Sequence, residues 1–578
     1  MTTWTHAHKN LARLLEKNGR AREAMEHLDV VADRQGNDAL RFYSALLLPY
    51  VYEDKADIDG WRKTFKRNLK ALAKRGEFAS RGTRLESLAA VPISCSSACC
   101  KQPCSRALGE GAAWPLTRAP RSCGLLSMPG ISIADPFNME GVPQYYLSYH
   151  GRNDARINSE IAKLFRKSCA SCVFRAPHTL DHKPKAADAK IRVGFMSYYF
   201  REHSVSKMTL GLAKGLDSDK FHTVLYQFGH KDWATEQLAS YMTKLVMLEN
   251  VGIESAQRLV ADEELDVLIF AEIGMDPHSY AMAFGRHAPI QIAMHGHAQT
   301  TGIRSIDYYV SYAGFSEPQA QAHYSEKLLV VDGFTPLPRY YDLVPYKLSP
   351  HMHAERGRNT FKSRFRIPPE ATVYACLQTL FKVDPRMDEV ALGILHRHPG
   401  SVVLFKELPM TDQVGKQVIA RMKKTFSEAE MQRVFFMPPL NDQDYRDAYL
   451  IVDVLIDSFP FGGHTTTMDA FSAGCPVVSM PTDLMSGRCT QGFLKFMGLG
   501  ELIVDKIEEL VDVAVKIGKD KAYRDRLSAT IREKLPALIK DDTSVREWED
   551  LLVAAGREGE SGLSKWQSKS GQRKDTGG

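Results

Sequence analysis

The sequence predicts an α/β fold in which two Rossmann-like domains face each other, with an α-helical region in front of them. From about residue 186, short apolar runs alternate with amphipathic stretches of helix length, which is typical of a parallel sheet covered on both faces. After the loop-like residues 333–350 the same alternation starts again. A chain of 578 residues is also long enough for three or four structural units.

The first predicted unit, residues 1–90, is helical. In NLARLLEKNGRAREAMEHL (10–28), apolar residues recur at helical spacing on both sides of an Asn-Gly turn signal. This pattern resembles one tetratricopeptide repeat, and a plain helical hairpin that caps the next domain explains it equally well. A further predicted helix, 57–76, carries an apolar stripe that begins with Ile58 and Trp61 and a basic opposite face.

Residues 91–137 are rich in Cys, Pro, Gly and Ser without a sustained period, and we predict a poorly ordered insertion there, followed by a helical lead-in segment, 138–185. Seven of the ten cysteines lie between Cys95 and Cys172. Four cysteines of the insertion could join Cys169 and Cys172 at a zinc ion, but the spacing does not form two clean pairs. Incidental thiols are therefore the preferred interpretation, and a disulfide framework is not expected in a reducing compartment.

The remaining predicted boundaries are 186–345 for the N-terminal Rossmann-like domain, 346–555 for the C-terminal one and 556–578 for a disordered tail. The net charge of +6 is modest, and a solvated helix face and the tail explain it better than a nucleic-acid groove. The sequence shows neither a leader pattern nor eighteen apolar residues in a row. We therefore expect a cytoplasmic or nuclear protein that binds neither nucleic acid nor membranes.

The stretch SFPFGGHTTTMDAFSAGCPVVSMP (458–481) lies between a predicted strand and a predicted helix. Ligands bind at the carboxyl ends of strands in open α/β sheets, and a helix N-terminus attracts anions. Gly462 and Gly463 let the backbone approach closely, and the Thr465 and Thr466 hydroxyls add donors, so the junction suits a diphosphate. Asp469, one turn further on, could accept hydrogen bonds from ribose hydroxyls. For an isolated motif, an ordinary helix cap with surface threonines is the alternative.

A diphosphate that leaves without a metal needs a further cation, and Lys382 in CLQTLFKVDP supplies one at the same edge of the second sheet. No Asp-x-Asp pair stands out at a strand end. We therefore expect no metal ion and no other cofactor.

The stretch 186–535 resembles the catalytic region of glycosyltransferase family 41, the O-GlcNAc transferase and SPINDLY group. The resemblance is carried in order by IRVGFMSYYFREHSVSK, RHAPIQIAMHGHAQTTGIRSIDYYVS, HYSEKLLVVDGF, CLQTLFKVDP, the junction itself and FMGLGELIV. It implies a GT-B fold after tetratricopeptide repeats, with the second domain binding the nucleotide sugar. The implied catalytic residues are His203, which faces the acceptor side, and Lys382. The implied donor-binding residues are Gln378, Tyr445, Gly463, His464, Thr465, Thr466 and Asp469.

The sequence departs from the O-GlcNAc transferase pattern at two positions, so the identity of the donor nucleotide sugar stays open. Tyr445 stands where the O-GlcNAc transferases have a histidine over the uracil, and Thr379, beside Gln378, stands where they have a glutamine. The implied activity is inverting, metal-independent transfer of a sugar, foremost GlcNAc from UDP-GlcNAc, to Ser and Thr hydroxyls of proteins. The alternatives are O-fucosylation from GDP-fucose, glucosylation of asparagine, and a non-catalytic repeat scaffold. An oligomer could form through the helical N-terminus.

Overall fold

The computed structural model describes residues 2–86, 131–142, 144–181, 185–186, 188–344, 346–406 and 412–575. It confirms the predicted helical region at the N-terminus. Its helices are α1 (Thr2–Lys17), α2 (Ala21–Gln35), α3 (Asp38–Ala45), α4 (Lys55–Glu86) and α5 (Ala155–Ser168). Helices α1 and α2 form the expected hairpin, with Ala12, Leu15, Ala24 and Leu28 buried between them and their neighbours. Leu11 and Leu14 also belong to the apolar residues at helical spacing in 10–28, but they are 40% and 54% exposed.

The predicted apolar stripe of α4 is confirmed, because Ile58, Trp61, Phe65 and Leu69 are all buried. The helix packs on α5 of the lead-in segment. Buried Arg62 of α4 forms an ion pair with buried Asp154, directly before α5.

The last residues of the predicted insertion are packed against the protein, whereas we expected the whole insertion to be poorly ordered. Residues 131–137 are described by the structure, Ile133 and Phe137 are buried, and the Ile133 N–H donates to the Ser168 carbonyl oxygen at 2.6 Å. The rest of the insertion, with its cysteines, lies outside the described residues. Cys169 and Cys172 form a disulfide, so the expectation of free thiols is wrong for this pair.

The first sheet has seven parallel strands in the order β3-β2-β1-β4-β5-β6-β7. They are β1 (Ile191–Ser197), β2 (Phe221–Gln227), β3 (Lys244–Met247), β4 (Val267–Phe270), β5 (Ile290–Ala293), β6 (Tyr308–Tyr312) and β7 (Lys327–Val331). Val193 of β1 pairs with Thr223 of β2 and with Val267 of β4. Every residue of β4 is buried, as expected for a central strand with both faces covered. The helices of this domain are α6 (Ser204–Gly215), α7 (Trp233–Ala239), α8 (Ile253–Ala261), α9 (Pro277–Met282) and α10 (Leu337–Leu343).

The second sheet has five parallel strands in the order β10-β9-β8-β11-β12. They are β8 (Thr372–Thr379), β9 (Ser401–Lys406), β10 (Val434–Met437), β11 (Val454–Ile456) and β12 (Val477–Val478). The helices of this domain are α11 (Glu355–Arg364), α12 (Arg386–Arg397), α13 (Asp412–Met422), α14 (Glu428–Met431), α15 (Asp442–Ala448), α16 (Thr465–Ala473), α17 (Cys489–Phe496), α18 (Ile507–Lys519) and α19 (Lys521–Ile539). The prediction of two Rossmann-like domains is thus confirmed.

The last helix, α20 (Thr543–Asp575), corrects two predictions. The sequence analysis assigned its residues partly to the C-terminal domain and partly to a disordered tail. The helix instead packs on the first sheet. Buried Trp548 donates through Nε1 to Tyr312 Oη of β6 at 3.1 Å. The helix continues beyond residue 556 with a break at Gly559, and Leu563 and Trp566 are buried. These large apolar side chains, set among Gly, Ser and Lys, hold the segment on the domain. Among the described helices, none is both long and apolar enough to span a membrane.

Candidate functional site

The candidate site is a cleft between the two Rossmann-like domains, where the carboxyl ends of strands from both sheets meet. It contains a cavity of about 420 Å³. The cavity is lined by residues that follow β1, by the α10 segment that connects the domains, and by residues from the ends of β9 and β10 onward. Ligands of open parallel sheets bind at this edge, and the volume falls in the range of small-molecule sites.

The loop between β11 and α16 is held by Asp457, which the sequence analysis did not single out. Its Oδ1 accepts a hydrogen bond of 2.6 Å from the Gly463 N–H, and its Oδ2 accepts one of 2.8 Å from Ser479 Oγ. Burial raises the pKa of Asp457 to about 6. A Cβ on Gly463 would lie 2.6 Å from the hydroxyl oxygens of Thr466 and Thr467, so the close approach requires glycine.

The three threonines that open α16 have different environments. Thr465 and Thr466 are half-buried, and Thr465 Oγ1 lies 3.4 Å from Ser204 Oγ of the opposite domain. Thr467 is fully buried, and its hydroxyl pairs with Thr490 Oγ1 at 2.7 Å. Within the described residues no side chain caps this helix, so its first backbone N–H groups can still bind an anion.

His464 precedes α16 and packs among aromatic rings rather than facing open solvent. Its ring stacks on Phe493 at 5.9 Å and meets Phe315 and His295 of the N-terminal domain edge-on at 5.8 and 5.4 Å. Burial, with His295 nearby, lowers the pKa of His464 well below its ordinary value, so the ring is neutral. Its buried Nε2 has no hydrogen-bond partner among the described atoms.

Lys382 rests on aromatic faces beside the cleft. Its Nζ lies 4.8 Å from the ring centre of Phe461 and 5.4 Å from that of Tyr149. Burial, together with the charge of Lys406, lowers the pKa of Lys382 to about 8. Lys382 is not among the residues that line the cavity. Neither is Gln378, which is buried at the end of β8, where its Oε1 accepts from the Thr379 N–H at 3.2 Å.

His203 lines the cavity at the start of α6. Its Nδ1 accepts a hydrogen bond from the Val205 N–H at 3.2 Å, and its ring lies 4.5 Å from that of Tyr199. Burial, followed by the charges of Arg201 and Lys382, lowers its pKa to about 4. A neutral imidazole that accepts at Nδ1 carries its hydrogen on Nε2. His203 therefore presents a hydrogen-bond donor to the cleft, which suits orienting a hydroxyl better than deprotonating it.

Tyr445 and Asp469 line the cavity on the C-terminal domain. Asp469 Oδ1 accepts from Tyr341 Oη of α10 at 2.7 Å, and burial raises the pKa of its carboxyl. The Tyr445 hydroxyl pairs with that of Tyr449 at 2.9 Å. Lys406, the last residue of β9, also lines the cavity, with its Nζ 4.0 Å from the ring centre of Tyr445. Its position at a strand end is the signal by which the sequence analysis could have found it.

Of the predicted site residues, the structure brings His203, Tyr445 and Asp469 into the cavity wall. The half-buried Thr465 reaches Ser204, the neighbour of His203, across the cleft. The charge of Lys382 acts on the His203 ring. The other predicted site residues, Lys382, Gln378, Gly463, His464, Thr465 and Thr466, are not among the residues that line the cavity, and the role of every predicted residue stays a prediction. In the part of the chain that the structure describes, no group of three or more His, Cys, Asp or Glu side chains could hold a metal ion.

Comparison with known proteins shows which family the chain belongs to. The sequence model described as Glycosyl transferase family 41 matches residues 144–335 and 355–538, about two thirds of the chain.

Two curated relatives are plant proteins. The probable UDP-N-acetylglucosamine–peptide N-acetylglucosaminyltransferase SEC of Arabidopsis thaliana is 24% identical over 367 residues, which cover 62% of this chain and 36% of SEC. The SPINDLY protein of Hordeum vulgare, which carries the same probable activity in its name, is 26% identical over 369 residues, or 62% and 37% of the two chains. The chain thus spans little more than a third of the length of these relatives.

One solved structure, a mutant O-GlcNAc transferase from Thermobaculum terrenum, is similar along almost the whole chain. It covers 98% of this chain and 99% of its own, with a TM-score of 0.62 and 18% identity. This likeness confirms the predicted GT-B fold.

Proposed function

The chain belongs to glycosyl transferase family 41, and from that premise we propose that it transfers a sugar from a nucleotide sugar to hydroxyl groups of Ser and Thr in proteins. The proposed reaction inverts the anomeric carbon and uses no metal ion. The proposed donor is UDP-GlcNAc, in line with the names of the plant relatives. The single observation that carries the proposal is the start of α16, which no described side chain caps and whose Thr465 hydroxyl lies 3.4 Å from Ser204 Oγ of the opposite domain.

The proposed chemistry is a single displacement. The acceptor oxygen forms a bond to the anomeric carbon while the bond from that carbon to the phosphate oxygen breaks and the nucleoside diphosphate leaves with the electron pair. The hydroxyl gives up its proton to solvent water as the new bond forms. Because attack comes from the face opposite the leaving group, the configuration inverts.

Negative charge grows on the departing phosphate, so groups fixed at that point lower the barrier most. We assign this task to the backbone N–H groups and hydroxyls of Thr465 and Thr466, to His464 Nε2 and to the Lys382 ammonium. Asp469 takes the ribose hydroxyls, and the face of Tyr445 takes the base. His203 orients the acceptor hydroxyl through its Nε2–H. Gly463 keeps the loop close to the phosphates, and Gln378 supports the end of β8 next to Lys382.

The test is a donor screen on the purified chain. UDP-GlcNAc, UDP-glucose and GDP-fucose are incubated with the protein in the presence and absence of EDTA, and release of the nucleoside diphosphate is measured. Release from UDP-GlcNAc that EDTA does not suppress is expected. Release from GDP-fucose alone would replace the proposed donor by the fucosyl alternative, and release from UDP-glucose alone would favour the glucosyl one. If none of UDP, GDP or the three donors binds, a non-catalytic scaffold becomes the better interpretation.

A further inference from the structure

We propose that Lys406 is a second phosphate-binding cation that acts together with Lys382 on the diphosphate of the donor. The inference rests on the proposed function and extends it. The sequence analysis expected one lysine, Lys382, at the carboxyl edge of the second sheet. The structure places Lys406 at the same edge.

The positions of the two lysines follow from strand register. Strands β8 and β9 are parallel neighbours, and Lys406, at the end of β9, pairs with Thr379 at the end of β8. Lys382 follows Thr379 by three residues in the loop that leaves β8. Both side chains therefore start from carboxyl ends of adjacent strands, at the edge where the cleft opens. Lys406 itself lines the cavity.

Within the described part of the chain, neither ammonium group is held by a carboxylate. Among the described residues, no acidic side chain lies within ion-pair distance of Lys382 or Lys406, and both rest on aromatic faces. The acid that acts on Lys406 electrostatically is Asp469, and its Oδ1 is already engaged by the Tyr341 hydroxyl. A cation on an aromatic face is held more weakly than one in a buried ion pair. A phosphate can therefore recruit both lysines without breaking a salt bridge.

The charges around the pair also favour an anionic ligand. Burial, followed by the charge of Lys406, lowers the pKa of Lys382, and burial lowers the pKa of Lys406 itself. Of the other charges that act on Lys406, Asp469 opposes that lowering and Lys207 of α6 adds to it. Like charges held together in a desolvated site disfavour each other's protonated form. A bound diphosphate offsets this penalty, so its binding draws protons onto Lys382, whose pKa is about 8.

The experiment compares ligands that differ only in phosphate. Binding of uridine, UMP and UDP, and of guanosine, GMP and GDP, is measured by calorimetry on the wild type, Lys406→Met, Lys406→Arg and the exposed control Lys423→Met. We expect Lys406→Met to lose affinity for the diphosphates by about 10- to 100-fold, the usual effect of one charge-assisted hydrogen bond. Nucleoside affinity should be unchanged, Lys406→Arg should recover most of the loss, and Lys423→Met should match the wild type.

Proton uptake provides a second readout. At pH 8, diphosphate binding measured in buffers of different ionisation enthalpy should show proton uptake by the wild type and less by Lys406→Met. Equal losses for nucleoside and diphosphate would place Lys406 on the base or ribose and overturn the inference, as would wild-type affinity in Lys406→Met. If the wild type binds neither UDP nor GDP, the proposed function itself fails, which is a different result from a variant that binds normally.

Discussion

Replacement of Lys382 by alanine tests the proposed site most directly. A unit charge about 4 Å from a developing phosphate charge is worth about 4 kcal/mol at an effective dielectric constant of about 20. Single donors in oxyanion sites contribute about 3 to 4 kcal/mol by mutagenesis, or 10²- to 10³-fold in rate. We therefore expect Lys382→Ala to lower kcat/KM by at least about 10²-fold, which abolishes transfer in a routine assay.

The fold should not suffer from this change. Lys382 makes no hydrogen bond or ion pair within the described residues, and its pKa falls from 10.5 to about 8 through burial and the charge of Lys406. At about 1.4 kcal/mol per pH unit, the charged side chain costs the folded state on the order of 3 kcal/mol below pH 8. The cost fades as the pH rises from 8 towards 10.5. The lost contacts with two aromatic rings partly offset the gain, so the Tm of the variant at neutral pH should be no lower than that of the wild type.

The assay measures release of the nucleoside diphosphate by purified protein, with thermal unfolding recorded on the same sample. The exposed Lys423→Ala serves as the matched control and should retain full activity. If folded Lys382→Ala kept more than about a tenth of wild-type kcat/KM, Lys382 would not stabilise the leaving group. A marked drop in Tm would contradict the account of its burial.

Three further predictions concern pH, the loop before α16 and the C-terminal helix. Because the pKa of Lys382 is about 8, kcat/KM should fall above pH 8, as the ammonium is lost. Because the pKa of His203 is about 4, kcat/KM should also fall below pH 4, as protonation of Nδ1 breaks the hydrogen bond from the Val205 N–H that fixes the ring. Gly463→Ala should weaken UDP binding at least about 10-fold, measured by calorimetry, and lower stability by about 1 to 3 kcal/mol, measured by thermal unfolding. The control Gly400→Ala, whose Cβ would meet no described atom within 4 Å, should leave UDP binding unchanged. Removal of the residues after Gly556 should lower the free energy of unfolding by about 3 to 6 kcal/mol, from two large buried side chains, measured by denaturant unfolding.

Each of these predictions has a clear contrary result. A basic limb near pH 10 would mean that Lys382 is not desolvated in the working enzyme. Normal UDP binding by Gly463→Ala would remove the loop from the donor site. Unchanged stability after truncation would show that Leu563 and Trp566 contribute nothing to the packing of α20.

The sequence by itself determined the backbone plan of this protein. Runs such as those of β1, β2, β8 and β9 were recognised because strand formation follows from local apolar character and helix formation from local periodicity. The glycine pair before α16 and the threonines that open it were recognised for a similar reason, since backbone freedom and helix N-terminal chemistry are encoded within about ten residues. The resemblance to glycosyl transferase family 41, which the family match confirms, used the same short motifs.

Only the tertiary structure decided which side chains meet. In the tertiary structure α20 packs on the first sheet, where Trp548 contacts Tyr312. Thr467 is buried beside Thr490, whereas Thr465 lies near Ser204 of the other domain. The tertiary structure also placed Lys406 in the cavity. These outcomes depend on contacts between residues far apart in the chain, and the free energies of burial and charge that select them arise only when distant segments pack together.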